Sequence, residues 1–250
     1  MKILAVSDAH DISGFNNIVD MIDKVNPDLL LSCGDWGSLR KDVRHPTEIG
    51  NMVESQIVQQ FVPILWKVPM FTLYGNHDEL NVIEKITNEH KDKYQFTKCL
   101  LPDIEPMVFE GLKILGISGN YAWRKRFPWH KSFYELDSLA TMLEMSDKLR
   151  NHLMGTHIFM SHECPDAIES IAKYGQPTLT KIIKLIKPKV AISGHVHRLT
   201  LEIHDEISYI NLGMALHGDY ATIDTDTWAV SVDRLQDSHD VRLVEHIDVL

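Results

Sequence analysis

Residues 70–78 read Met70-Phe71-Thr72-Leu73-Tyr74-Gly75-Asn76-His77-Asp78, a short apolar run that stops at glycine and then presents an amide, an imidazole and a carboxylate in succession. Such a run predicts a strand buried on both faces, as in a parallel sheet covered by helices. The same arrangement recurs on either side of it. Residues 3–6 lead to Asp8-Ala9-His10, residues 29–31 to Gly34-Asp35, residues 157–160 to Ser161-His162, and residues 190–192 to Gly194-His195-Val196-His197. Open α/β sheets gather the carboxyl ends of their strands along one edge, and ligands bind there. Five such ends would bring Asp, Asn and His side chains to one place.

The segments between these runs fit the same scheme. Ile18, Met21, Ile22 and Val25 recur at helical spacing before Asn26-Pro27, a helix with its stop signal. Ile49, Met52, Val53, Val58 and Phe61 predict a second amphipathic helix that closes before Pro63. Strand, helix, strand, helix, strand in this order predicts parallel pairing through right-handed crossovers. Residues 107–110 and 112–117 flank Gly111 and predict a hairpin that begins a second layer of strands. Residues 135–153 return to a helical pattern, and Leu179, Ile182, Ile183 and Ile186 predict another helix, ended by Pro188. After His197 the apolar positions alternate, at Leu199, Leu201 and Ile203, at Ile207, Tyr209 and Ile210, then over 228–232 and 241–244. Alternation of this kind predicts antiparallel strands. No repeat or low-complexity stretch interrupts residues 1–250, so a single two-sheet domain is expected.

Composition narrows the class. A chain of 250 residues with 44% hydrophobic content can bury one sizeable core, and its net charge of −10 argues against a protein that coats nucleic acid. The apolar runs are too short to span a bilayer. The first motif follows Met1 almost at once, and the three cysteines, Cys33, Cys99 and Cys164, are odd in number and widely spaced. Both features predict a cytoplasmic protein with free thiols. Cys33 and Cys99 read as small buried hydrophobes, whereas Cys164 lies two residues from His162, near enough for its oxidation to disturb that position.

Each motif alone has a plainer reading. Asp8 could cap a helix beside a surface His10, Gly34-Asp35 and Gly75-Asn76-His77-Asp78 could be polar turns, and His162 could be a core histidine. Together, each after a buried run, they read as a two-metal hydrolytic site. Gly194-His195-Val196-His197 is the most telling of the five, because glycine permits close backbone approach and two histidines flank one apolar residue.

The set resembles the calcineurin-like metallophosphoesterase family, whose pattern is Asp-x-His, Gly-Asp, Gly-Asn-His-Asp/Glu, His, and Gly-His-x-His. All five blocks stand here without substitution, between residues 8 and 197. The resemblance implies an α/β fold, a four-layer αββα sandwich of two mixed β-sheets flanked by helices. It implies that Asp8, His10 and His197 hold one metal, that Asn76, His162 and His195 hold the other, and that Asp35 bridges both. A shared carboxylate offsets the repulsion of paired cations. Imidazole and carboxylate donors without thiolate suit manganese first, with iron, zinc, nickel or cobalt as alternatives. The implied reaction is hydrolysis of a phosphodiester or phosphomonoester, with a metal-bridging hydroxide attacking phosphorus. His77 would protonate the leaving oxygen, and Asp78 would orient His77 and raise its pKa.

The substrate is expected to be a phosphate ester, including a nucleotide or nucleic acid. Residues 120–134 interleave aromatic side chains with Arg124, Lys125, Arg126 and Lys131 and contain no acid, a pattern able to stack a base and pair with phosphate. The same pattern suits a packed cap with solvated cations. Arg40, Lys41 and Arg44 are further candidates for a substrate phosphate. Residues 116–121 and 161–165 more loosely resemble the RNA lariat-debranching branch of the family, which often carries Cys where this chain has Asp8. A nuclease or debranching enzyme is therefore the alternative. A non-catalytic scaffold fits less well, because the ligand set is complete.

Overall fold

Alternation along the first strand shows how the layers form. In β1 (Lys2–Val6), Ile3 and Ala5 face one apolar cluster while Leu4 and Val6 face another, and all four are buried. The second strand repeats the division, with Leu29 and Leu31 on one side and Leu30 on the other. A sheet with two apolar faces must be covered twice, since leaving a Leu or Ile in water forfeits about 1.5–3 kcal/mol.

The computed structural model describes residues 1–37, 61, 63–78, 94–96, 105–119, 121–122 and 131–236. The first sheet has the order β14-β13-β1-β2-β3-β4. Its strands are β1, β2 (Leu29–Ser32), β3 (Met70–Thr72), β4 (Tyr94–Phe96), β13 (Asp219–Asp224) and β14 (Val230–Arg234). Strands β1 to β4 are parallel, while β13 runs antiparallel to both β1 and β14. The second sheet has the order β11-β12-β10-β9-β6-β5. It comprises β5 (Met107–Phe109), β6 (Leu112–Ile117), β9 (Ile158–Ser161), β10 (Val190–Ser193), β11 (Leu199–His204) and β12 (Ile207–Leu212). A two-stranded parallel pair, β7 (Tyr121–Ala122) and β8 (Lys131–Ser132), stands apart.

Helix α1 (Ile12–Val25) covers the outer face of the first sheet through Phe15, Ile18, Met21 and Ile22. Asp11 caps its start by accepting the N–H of Ser13 and Gly14 at 2.7 and 3.2 Å. Helices α2 (Phe133–Met145), α3 (Asp147–Leu153) and α4 (Pro177–Ile186) cover the second sheet, where Leu139, Leu153, Ile182 and Ile183 pack with Phe159 and Ala191. Between the sheets, Ile3, Leu31 and Phe71 meet Ile158, Ile192 and Ile210. The result is an α/β fold of two mixed sheets flanked by helices, in four layers. Among the described residues, no helix is long and apolar enough to cross a membrane.

Several expectations need correction. The pattern over 135–153 is two helices, because Ser146 turns the chain and accepts the N–H of Leu149 at 3.2 Å as a new cap. Pro63 does not close a helix: residues 61 and 63–67 are helical, and burial of Phe61, Ile64 and Leu65 against the α1 cluster offsets the missing N–H. In the tail, β11 and β12 are antiparallel as expected, but β12 pairs in parallel with β10. Residues 219–224 form a strand that alternation does not single out, and the chain there leaves the second sheet to join β1. The strand expected over 241–244 lies outside the described residues.

Candidate metal centre

Main-chain bonds tie the loop after β1 to that after β2, and the loop after β9 to that after β10. Asp8 donates its N–H to the Gly34 carbonyl at 2.9 Å, His10 to that of Asp35 at 3.1 Å, and Gly194 to that of His162 at 3.0 Å. Asp8, His10, Asp35, His195 and His197 all have positive φ, of 57, 56, 56, 66 and 55°. Each such residue costs roughly 1–2 kcal/mol when it carries a Cβ, so the surrounding contacts must enforce it. In Asp8-Ala9-His10 and in His195-Val196-His197, left-handed residues alternate with a buried one, and both polar side chains turn into the same site. Two glycines make room for this. A Cβ on Gly75 would lie 2.0 Å from Asp35 Oδ1, and one on Gly194 would lie 2.0 Å from Ser7 Oγ and 2.7 Å from Asp8 Oδ2.

Two groups of donors result. In the first, His197 Nε2 is 3.0 Å and His10 Nε2 is 3.5 Å from Asp8 Oδ1, and the two imidazole nitrogens are 3.2 Å apart. In the second, Asn76 Oδ1 lies 2.9 Å from both His162 Nε2 and His195 Nδ1, and Asp35 Oδ2 lies 3.4 Å from His162 Nε2. Within each group the carboxylate and imidazole ligand atoms all lie within 4.8 Å of one another. Among the described residues, Asp35 Oδ2 is buried with no hydrogen-bond partner, an arrangement that costs free energy unless a cation or proton meets it. His10 Nδ1 faces the Gly37 carbonyl at 3.3 Å and His162 Nδ1 that of Cys33 at 2.8 Å. Those contacts place the proton on Nδ1 and leave the Nε2 lone pair for a metal. The donors present therefore fit two divalent ions with nitrogen and oxygen ligands.

Electrostatics point the same way. Burial pushes the Asp8 carboxyl up, but the His197 charge and hydrogen bonds from His10 and His197 outweigh it and hold the group well below the usual range. Asp35 behaves alike, with burial outweighed by His162 and His77. These buried anions demand positive charge nearby. Against the effect of its own burial, His10 is raised to about 9 by Asp8 and Asp35, and His162 to about 10 by Asp35. His195 is pushed down to about 4 by loss of solvent around its ring and by the neighbouring His162. A divalent ion answers the same demand and competes with those protons.

Asn76, His77, His195 and His197 are half-buried, whereas Asp8, His10, Asp35 and His162 are buried, so the half-buried residues form the mouth. The His77 ring stands edge-on to His10 at 5.1 Å, and its main-chain N–H donates to Asp35 Oδ1 at 2.8 Å. Asp78 is placed otherwise than expected. Its Oδ1 accepts the N–H of Trp36 and Gly37 at 2.8 and 3.2 Å, and its Oδ2 those of Asp35 and Gly75 at 2.8 and 2.9 Å. His77 Nδ1 has no hydrogen-bond partner among the described residues, and burial, with His10 and His162 adding, lowers the His77 pKa where a rise was expected. Arg124, Lys125 and Arg126, like Arg40, Lys41 and Arg44, lie outside the described residues.

The orienting carbonyls of Cys33 and Gly37 escaped sequence reasoning, because main-chain acceptors carry no residue identity. Cys33 and Cys164 are buried free thiols; burial and the nearby Asp8 raise Cys33 well above its usual range, and burial pushes Cys164 up to about 12. Neither joins the two donor groups.

Comparison with known proteins agrees with this architecture. One solved structure aligns with a TM-score of 0.71 at 18% identity, covering 93% of this chain and 98% of the other. TT1561 of Thermus thermophilus aligns with a TM-score of 0.65 at 14% identity over the same shares. In sequence, the chain is 24% identical over 213 residues to the lariat debranching enzyme of Gallus gallus, an alignment that takes in 69% of this chain and 37% of that protein. The family model for calcineurin-like phosphoesterases matches residues 1–199, which hold every metal-type side chain described above, and the chain belongs to that family.

Proposed function

We propose that this protein is a dinuclear metal-dependent phosphoesterase, a single domain over residues 1–250 acting in the cytoplasm on a phosphodiester or phosphomonoester. Asp8, His10 and His197 hold one ion, Asn76, His162 and His195 the other, and Asp35 is shared between them. The observation that carries the proposal is the pair of converging donor groups, in which the buried Asp35 Oδ2 finds no hydrogen-bond partner among the described residues. Divalent ions bound there neutralise phosphate oxygens and activate water. The chain's own part is orientation and proton transfer. The Cys33 and Gly37 carbonyls fix two imidazoles, and His77 at the mouth protonates the departing oxygen. Arg124, Lys125 and Arg126 contribute to holding the substrate.

The test is turnover of bis(para-nitrophenyl) phosphate and para-nitrophenyl phosphate with manganese, iron, zinc, nickel or cobalt supplied to the metal-free protein. About two ions per chain are expected, with manganese the most effective. No turnover with any ion would overturn the enzymatic reading in favour of a scaffold. A second reading, hydrolysis of an RNA phosphodiester, is favoured by the similarity to the Gallus gallus lariat debranching enzyme. Cleavage of a labelled 2′,5′-branched RNA in preference to small esters would select it.

A further inference from the structure

Asp78 is fully buried, and its carboxylate accepts hydrogen bonds from four main-chain N–H groups. Three of those groups, of Asp35, Trp36 and Gly37, belong to the turn after β2, and the fourth, of Gly75, belongs to its own turn after β3. We propose that Asp78 is a positioning residue for Asp35, clamping the two turns so that the shared carboxylate meets both ions. The proposal rests on the dinuclear reading given above.

The clamp is reciprocal. Asp78 Oδ2 accepts the N–H of Asp35, and Asp35 Oδ1 accepts the N–H of His77. Each turn thus supplies the acid that holds the other turn's backbone. With Oδ1 committed to His77, Asp35 presents Oδ2 toward His162 at 3.4 Å. The left-handed backbone of Asp35, φ 56°, is held from the other side by Trp36, whose Nε1 donates to Thr72 Oγ1 at 2.8 Å and whose ring packs against both Phe15 and Phe61. Little play remains, since the Asp35 carboxylate sits against the Gly75 backbone where no Cβ would fit. Only a carboxylate serves here, because both oxygens must accept twice. An amide would turn its NH₂ toward two N–H donors.

The experiment compares wild type, Asp78→Asn and Glu202→Gln, titrating each metal-free protein with Mn²⁺ by calorimetry and following the loaded forms by electron paramagnetic resonance. Glu202 likewise accepts main-chain N–H groups, from Glu169 and Ser170, but outside the two metal groups. In Asp78→Asn, manganese affinity should fall about 10–100-fold, the range for residues that orient metal ligands, and the exchange-coupled two-manganese signal should weaken. Glu202→Gln should retain both. Turnover by Asp78→Asn should fall by the same factor for esters with good and poor leaving groups. Unchanged manganese affinity in Asp78→Asn would overturn the proposal, and a loss confined to poor leaving groups would return Asp78 to orienting His77. Equal losses in the two variants would reduce Asp78 to a general folding role. Failure of wild type itself to bind manganese would instead overturn the dinuclear reading, and this proposal with it.

Discussion

The two sheets bring different chemistry to the centre. Loops of the first sheet supply Asp8, His10, Asp35, Asn76, His77 and Asp78, which include every carboxylate of the two donor groups, whereas those of the second supply only imidazoles, His162, His195 and His197. Each donor group draws on both sheets: Asp8 and His10 need His197, and Asp35 and Asn76 need His162 and His195. Neither sheet alone supplies a complete donor group, so the groups assemble only when the sandwich is closed.

The sharpest way to break this division is Asp35→Ala. It removes the shared carboxylate from the acid side, and metal content should fall from about two ions per chain to none, with turnover lost. Retention of both ions by elemental analysis would remove Asp35 from its shared role. His77→Ala should leave metal content nearly intact while lowering turnover ~10²–10⁴-fold, with a smaller loss for para-nitrophenyl esters than for alkyl esters. Equal losses would assign His77 to orienting phosphate instead.

A third measurement sharpens the contrast through pH. His10 and His162, raised to about 9 and about 10 by the opposing carboxylates, bind protons more tightly folded than unfolded. Their contribution to the stability of the metal-free protein is complete below pH 6.5 and lost as pH rises through 9 to 10. His195, pushed down to about 4, acts in the opposite sense, its contribution being lost as pH falls from 6.5. Melting of the metal-free protein should therefore peak near pH 6.5 and decline toward pH 10. Saturating metal should flatten that decline and add about 2.7 kcal/mol per site at a hundredfold excess over Kd. A profile unaffected by metal would sever the link between the two sheets' charges.

The smallest effect is expected from replacing Arg124, Lys125 and Arg126 together by Ala. Small-ester hydrolysis should stay near wild type, while KM for a nucleic-acid substrate rises and its salt dependence flattens. Unchanged KM and salt slope on every nucleotide would make the segment a packed cap.

The strands that carry the motifs were legible because they are buried on both faces, and continuous apolar runs such as 3–6 and 190–192 are hard to place anywhere but in a covered sheet. The metal-type side chains were legible because five short blocks repeat one arrangement. What stayed hidden depends on partners distant in the chain. β13, with Asp219, Thr222 and Asp224 among its residues, shows no apolar alternation, yet it pairs with β1 more than two hundred residues earlier. Asp78 beside His77 suggests a pair, whereas three of its four partners are backbone groups some forty residues away. The left-handed turns at Asp8 and His197 leave no mark on residue type. Parallel pairing of β12 with β10 was missed because alternation reports exposure and not direction.

Placement of β13 beside β1 has a consequence for synthesis. Strand β1 is synthesised long before its second neighbour, residues 219–224, which follow it by more than two hundred residues. Until then the growing first sheet exposes an unpaired edge, of the kind that invites wrong pairing. The same delay governs the two donor groups, whose last residue in the chain is His197. A nascent chain halted before residue 157 holds Asp8, His10, Asp35 and Asn76 without the second sheet's imidazoles, so completion of both donor groups and closure of the first sheet come late in its synthesis.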